Sequence, residues 1–235
     1  MLTTTDYLLD GRVKITQGEG YRAGLDAVML AAACPARPGE TVLDLGCGAG
    51  AASLCLAARV QNLTITGIEI QPEQAELARM NFQQNDVEGE VITADLNEHK
   101  FETDSFNHVI LNPPYHDADQ HMPPQHAARA TAFMADDLPA WITAARRAVK
   151  SHGSMTLIHR ADAVVEIISN LVGFGAVEII PLWPRAGEDT ERVIIRAVKG
   201  RKTPPRIRPG IVLHEANGAE TKILHGILRQ GDSID

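Results

Sequence analysis

Asp44-Leu45-Gly46-Cys47-Gly48-Ala49-Gly50 decides how this chain of 235 residues folds. It joins a short apolar run, residues 41–45, to a stretch rich in Ala and Leu, residues 51–58. Glycines permit a tight turn there, and they let backbone N–H groups approach a ligand where a Cβ would collide. The segments that follow repeat the same strand-then-helix unit. Residues 64–70 are β-branched and read as a second strand, and Pro72 then opens a helix running to about residue 84. Further strands are expected at 90–94, 108–111, 154–159, 176–182 and 193–198, with helices at 138–150 and 161–171. Alternating units of this kind build a parallel sheet covered by helices. The last two strands lie too close for a helix between them, so they should form an antiparallel hairpin at the sheet edge. The expected fold is therefore α/β: a seven-stranded, mostly parallel sheet with helices on both faces and an antiparallel C-terminal edge hairpin. One domain is expected over 1–235, with 1–40 leading into the core sheet at 41–200. Residues 201–235 add a Pro-rich linker, a short strand at 211–214 and a helix at 219–228.

Composition removes several classes of function. Apolar residues make up 44% and charged residues 22%, ordinary values for a soluble globular protein. No apolar run approaches the length of a membrane span, and the first ten residues lack the pattern of a signal peptide. Cys34, Cys47 and Cys55 form no CxxC pair, which argues against a disulfide scaffold or zinc ribbon and fits a reducing cytoplasm. The formal net charge is −8, yet Lys199 to Arg208 carries five basic residues and no acid, so a basic patch on an acidic body is expected.

Glu69 ends the second strand and Asp95 follows the third. A carboxylate in the first position can accept both hydroxyls of a ribose, and one in the second can accept the amino group of an adenine. Asp44 lies two residues before the first glycine, where it would repel a pyrophosphate and attract a cationic ligand. Acids at the carboxyl ends of adjacent strands thus suit a nucleoside without phosphates. Gly46, Gly48 and Ala51 also satisfy the loose dinucleotide pattern, and a plain strand-to-helix turn would use the same glycines.

Asn112-Pro113-Pro114-Tyr115 follows the fourth strand. An exocyclic amine or amide nitrogen is a poor nucleophile because its lone pair is delocalised. Two acceptors, the Asn112 side-chain oxygen and the Pro113 carbonyl, could hold both N–H bonds, aim the lone pair and stabilise the positive charge that develops on nitrogen. The prolines fix φ and so set the carbonyl direction in advance. Tyr115 could stack on a planar substrate. A proline-stiffened loop with no chemistry is the alternative.

Together these residues resemble class I, Rossmann-like methyltransferases of the amino-methylating type. From about residue 6 to 228 the chain is similar to the small-methyltransferase subgroup that includes bacterial tRNA (adenine-N(6))-methyltransferases, which modify the adenine beside the anticodon of a valine tRNA. The resemblance implies S-adenosyl-L-methionine as cofactor, S-adenosyl-L-homocysteine as product, and RNA, specifically tRNA, as partner. It implies that Gln17 and the segment Tyr21 to Asp26, including Arg22, Gly24 and Asp26, close over the methionine part of the cofactor. It assigns the rest of the cofactor site to Asp44, Gly46, Cys47, Gly48, Gly50, Glu69, Ile70, Asp95, Leu96 and Asn112, and catalysis to Asn112, Pro113, Pro114 and Tyr115. A monomer without metal or membrane contact is expected. Release-factor glutamine methyltransferases and guanine- or adenine-specific rRNA enzymes share these motifs and remain alternatives. So, in other classes, do a catalytically idle binding protein and a nicotinamide-dependent oxidoreductase.

Four further features bear on substrate. His116, His121 and His126, with Asp117 and Asp119, recur at a spacing of five that matches neither a helix face nor a strand, and methyl transfer needs no metal, so a polar lid is expected, with Arg129 contacting a phosphate. Cys47 is expected to be a small residue that fits rather than a nucleophile. Trp183 either packs in the core or, with Arg185, meets an unstacked base. Lys199, Arg201 and Lys202 are candidates for RNA contact.

Overall fold

The computed structural model describes residues 2–18, 24–114 and 137–235. Tyr115, Arg22, Arg129 and the histidine segment fall outside these residues. The sheet is built from β3 (Thr41–Leu45), β4 (Thr64–Glu69), β5 (Gly89–Thr93), β6 (Phe106–Leu111), β7 (Val149–Arg160), β8 (Phe174–Trp183) and β9 (Arg192–Lys199), preceded by a separate hairpin of β1 (Thr3–Leu8) and β2 (Val13–Gly18). Its order is β5-β4-β3-β6-β7-β9-β8. All pairings are parallel except those of β9, which runs antiparallel between β7 and β8. The expected hairpin of β8 and β9 therefore forms, with β9 slipped inward and β8 outside it.

The central strands are short because both faces are covered. Val42, Leu43 and Leu45 of β3, and Val109, Ile110 and Leu111 of β6, are buried, as strands of a parallel sheet must be. On one face lie α1 (Leu25–Ala33), α2 (Ala51–Arg59) and α3 (Pro72–Gln84), with hairpin residues Val13 and Ile15 and the C-terminal Leu224, Ile227 and Ile234. On the other lie α4 (Leu138–Ala148) and α5 (Val164–Asn170), through Trp141, Ile142, Ala145 and Ile167. Asp137 caps α4 by accepting the Ala140 N–H at 3.1 Å. Helix α4 ends at Ala148, before the expected Lys150, because Val149 turns extended and starts β7; Lys199 from the neighbouring strand caps the end, Nζ donating to Arg146 O at 2.6 Å and Val149 O at 2.8 Å.

Two elements were not expected. The β1–β2 hairpin turns through Leu9 and Asp10, both at positive φ (51° and 52°), with Gly11 N–H donating to Leu8 O at 3.1 Å. Beyond β8 the sheet gains an unexpected β10 (Arg206–Ile207) and the short strand expected at 211–214, formed as β11 (Ile211–Val212); both run parallel to β8, so the C-terminal extension joins the sheet. Glu178 of β8 gathers Arg196, Arg206 and Arg208, at 2.6, 2.6 and 2.9 Å. Burial raises its carboxyl, but the Arg196 charge and hydrogen bonds from Arg208 and Arg196 outweigh this and hold it below its ordinary value. Arg196 and Arg208 also donate to Ile234 O and Asp235 O at 2.9 and 2.8 Å, which fastens the last residues to the sheet. The expected C-terminal helix is shorter, α6 (Lys222–His225), continued by a wider turn over Gly226–Gln230.

Candidate active site

The strand order reverses between β3 and β6, and their carboxyl ends open the crevice where such sheets bind ligands. Leu45 pairs with Leu111, so Gly46 and Asn112, each one residue further on, begin about 5 Å apart, the spacing of neighbouring strands. Sheet register thus brings the glycine loop and the Asn-Pro-Pro segment together, although 65 residues of sequence separate them. Pro113 is buried; Asn112 and Pro114 are half-buried.

The loop is fixed at several points. Cys47 N–H donates to Ile68 O at 3.0 Å, Gly50 N–H to Cys47 O at 2.8 Å, and Gly48 N–H to Glu69 Oε2 at 2.9 Å. Gly46, at φ 68°, lies against the α4 ring of Trp141: a Cβ there would stand 2.4 Å from Cη2. At Gly48, φ 54°, a Cβ would meet nothing within 4 Å among the described residues. The loop therefore presses on protein at Gly46 and faces open space at Gly48, as a cradle for a ligand should. Cys47 is buried, and burial, with the charges of Asp44 and Glu69, pushes its thiol well above its ordinary value, so it stays protonated.

Glu69, 5% exposed, spans the loop, with Oε1 accepting Gln71 N–H at 2.8 Å. Burial raises its pKa, while the N–H groups of Gln71, Gly48 and Ile70 oppose the rise. Asp95, half-buried, accepts Asn97 N–H at 2.8 Å, and Leu96 beside it is buried. Ile70 is half-buried next to Glu69. Asp44 accepts the Ser53 hydroxyl at 2.7 Å beneath the start of α2. Burial pushes its carboxyl up to about 7; the Ser53 hydrogen bond opposes this and the Glu69 charge adds to it.

That shift has a definite sign. An unfolded Asp ionises near pH 3.9, so between about 4 and about 7 the folded state binds more protons, and Asp44 subtracts stability progressively as pH rises. Asp44→Asn should therefore gain stability relative to the parent protein between pH 5 and pH 8. Urea unfolding at the two values checks it, and a pH-independent difference would refute it.

Gln17, 3% exposed, donates from Nε2 to Asp6 Oδ2 at 3.1 Å across the hairpin. Gly24 stands just before α1, and Asp26 in its first turn pairs with Arg192 of β9 at 3.3 Å. Sequence reading missed Trp141, Ser53 and Asn81, the last of which donates from Nδ2 to Ala49 O at 2.9 Å. These belong to helices α4, α2 and α3, whose apolar or polar pattern carries no motif.

The substrate candidates fall at two opposite edges of the sheet. Because β9 runs against the other strands, its Lys199 end lies at the amino edge of the sheet, roughly 24 Å from its Arg192 end at about 3.4 Å per residue. Lys199 is occupied by α4 and Asp104, while Arg201 and Lys202 are exposed beyond the start of β8. All three lie away from the Asn112 end of the sheet, where only a part of an RNA remote from the reacting base could meet them. Arg185 is on the correct rim, exposed and paired with Glu188 at 3.3 Å. Trp183 donates from Nε1 to Pro209 O at 3.0 Å, so it packs under the C-terminal segment. Among the described residues no group of three His, Cys, Asp or Glu side chains converges on a metal position, and no helix is long and apolar enough to cross a membrane.

Comparison with known proteins agrees with this geometry. The profile of the methyltransferase small domain family matches residues 24–180. The tRNA1(Val) (adenine(37)-N6)-methyltransferase of Shewanella baltica is 28% identical over 223 residues, covering 89% of this chain and 91% of the relative. Ribosomal RNA small subunit methyltransferase C of Escherichia coli is 35% identical over 120 residues, 49% of this chain and 34% of that protein. A crystal structure from Agrobacterium tumefaciens, described as a predicted O-methyltransferase, superposes with a TM-score of 0.75 at 30% identity, over 89% of this chain and 98% of that one. The chain belongs to the methyltransferase small domain family and is an S-adenosylmethionine-dependent class I methyltransferase.

Proposed function

We propose that the enzyme methylates the exocyclic amino group of an adenine in tRNA. The observation that carries this reading is the register of Leu45 with Leu111, which sets Asn112-Pro113-Pro114 beside the glycine loop. Glu69 and Asp95 are the residues that would hold ribose and adenine of the cofactor, and Asp44 and the Gln17 end of β2 would face its methionine part. The bound cofactor supplies a methyl group on a sulfonium and departs as a neutral thioether.

The rest is done by this chain. Asn112 Oδ1 and the Pro113 carbonyl accept the two N–H bonds of the acceptor amine, which localises its lone pair and offsets the charge that grows on nitrogen. Burial of Pro113 and its fixed φ keep that carbonyl in place before substrate arrives. Positioning supplies most of the rate, and no group need remove a proton first. A tRNA substrate is supported by the tRNA methyltransferase relative, which this chain matches over 91% of its length. Ribosomal RNA is the second reading, favoured by the 35% identity to the rRNA enzyme over 120 residues.

The test offers the purified enzyme and labelled S-adenosylmethionine to unmodified tRNA and to small-subunit rRNA, followed by nucleoside mass spectrometry. Label in tRNA as N6-methyladenosine is expected. Label confined to rRNA selects the second reading, and label in neither rejects RNA as the substrate.

A further inference from the structure

Asn81 lies on α3, one helix away from every motif in the sequence, and is fully buried. All of its amide is used. Oδ1 accepts Thr16 N–H at 2.8 Å, and Nδ2 donates to Thr16 O and to Ala49 O, both at 2.9 Å. One turn later, Asn85 repeats half of this pattern. Its Oδ1 accepts Lys14 N–H at 2.9 Å, and its Nδ2 donates to Lys14 O at 2.7 Å. Lys14 and Thr16 are alternate residues of β2, so their backbone groups point to the same side, away from β1. The two asparagines thus stand in for a missing strand along that edge. Asn81 alone also reaches the glycine loop.

What it holds there is one peptide plane. That plane joins Ala49 to Gly50, at φ 89°, and Gly48, at φ 54°, precedes it, so this stretch is easily rotated unless it is held. Its carbonyl is taken by Asn81, and its Gly50 N–H by Cys47 O. Glu69 secures the preceding stretch through Gly48 N–H. Remove Asn81 and the plane is held from one end, while the loop loses its link to β2, the strand that ends at Gln17 and Gly18.

We propose that Asn81 is a positioning residue that sets cofactor affinity by holding the glycine loop and the N-terminal hairpin in a single register. This rests on the reading that the loop and Glu69 bind the cofactor, so that reading is tested alongside. Three variants are compared by calorimetric titration with S-adenosylhomocysteine, by steady-state kinetics and by thermal melting. Asn81→Ala should weaken S-adenosylhomocysteine binding and raise KM for S-adenosylmethionine by about tenfold, of the order expected for one buried hydrogen bond, with kcat within about threefold. Asn85→Ala should lower Tm comparably, because it removes the same kind of hairpin anchor, yet change KM less than about twofold. Should Asn81→Ala fail to fold, Asn81→Asp keeps the acceptor for Thr16 N–H, loses both donors, and should show the same KM effect. Equal KM effects at positions 81 and 85, or none at 81 while Glu69→Ala loses cofactor binding, overturn the proposal and leave the cofactor site standing. An unchanged affinity in Glu69→Ala overturns both.

Discussion

Asn112→Ala should lower kcat by about 10²–10³-fold, the loss of roughly 3–4 kcal/mol that follows removal of one preorganised partner for a developing charge. S-adenosylhomocysteine should still bind, because Glu69, Gly48 and Asp44 are untouched and Asn112 follows a different strand, β6. The expected pattern is thus a fall in kcat and in kcat/KM for RNA by similar factors, the mark of an interaction realised in the transition state. Pre-steady-state methyl transfer in single-turnover conditions separates chemistry from product release. Wild-type single-turnover rates in this variant would remove the chemical role assigned to the Asn-Pro-Pro segment, whatever the substrate.

Gly46→Ala should be the most damaging one-carbon change in the glycine loop. Its φ of 68° is left-handed, which costs a residue with a Cβ about 1–2 kcal/mol. The added carbon would also fall 2.4 Å from Trp141 Cη2 and 2.8 Å from Cζ3. Trp141 is 3% exposed and packed in the α4 side of the core, so it has no solvent to retreat into. Overpacking of this kind costs about 1–3 kcal/mol more. A loss of roughly 2–5 kcal/mol in denaturant unfolding is expected from the two effects together. Trp141→Phe shortens the ring at the point of collision. In a double-mutant cycle the pair should therefore be less destabilised than the sum of the two single changes. Strict additivity would show that the strain lies in the backbone alone.

Most of the sheet was readable from the sequence because each parallel strand is a short apolar run flanked by its own turn or helix signal. The Pro72 helix start and the Asp44 to Gly50 turn are local statements, and the structure keeps both. The pairing of Leu45 with Leu111 could be inferred from topology, since a βα series that reverses must place its first and fourth strands side by side. The misses share a cause. Hairpin β1–β2 has one buried strand, Val13 and Ile15 alternating with half-buried neighbours, and its Asp10-Gly11 turn signal was available but went unused. Strand β10 is two residues long, flanked by Pro204, Pro205 and Pro209, so no periodicity can develop and pairing with β8 alone defines it, whereas β11 falls inside the strand expected at 211–214. The place of the basic run was not legible for a different reason. Lys199 was read as part of a charged surface segment, whereas strand direction sends it to the far edge and a helix end absorbs its charge.

The added strands also govern how this sheet meets other molecules. A bare β8 would offer ten residues of unpaired backbone to any passing chain. Instead its outer side is filled by two stubs of two residues, with Arg206 and Arg208 flanking Ile207 and prolines breaking the ladder before and after. Growth by strand addition has no continuous template on that side, and like-charged copies meeting there would repel. The C-terminal strands thus cover the edge of β8 that strand addition would use.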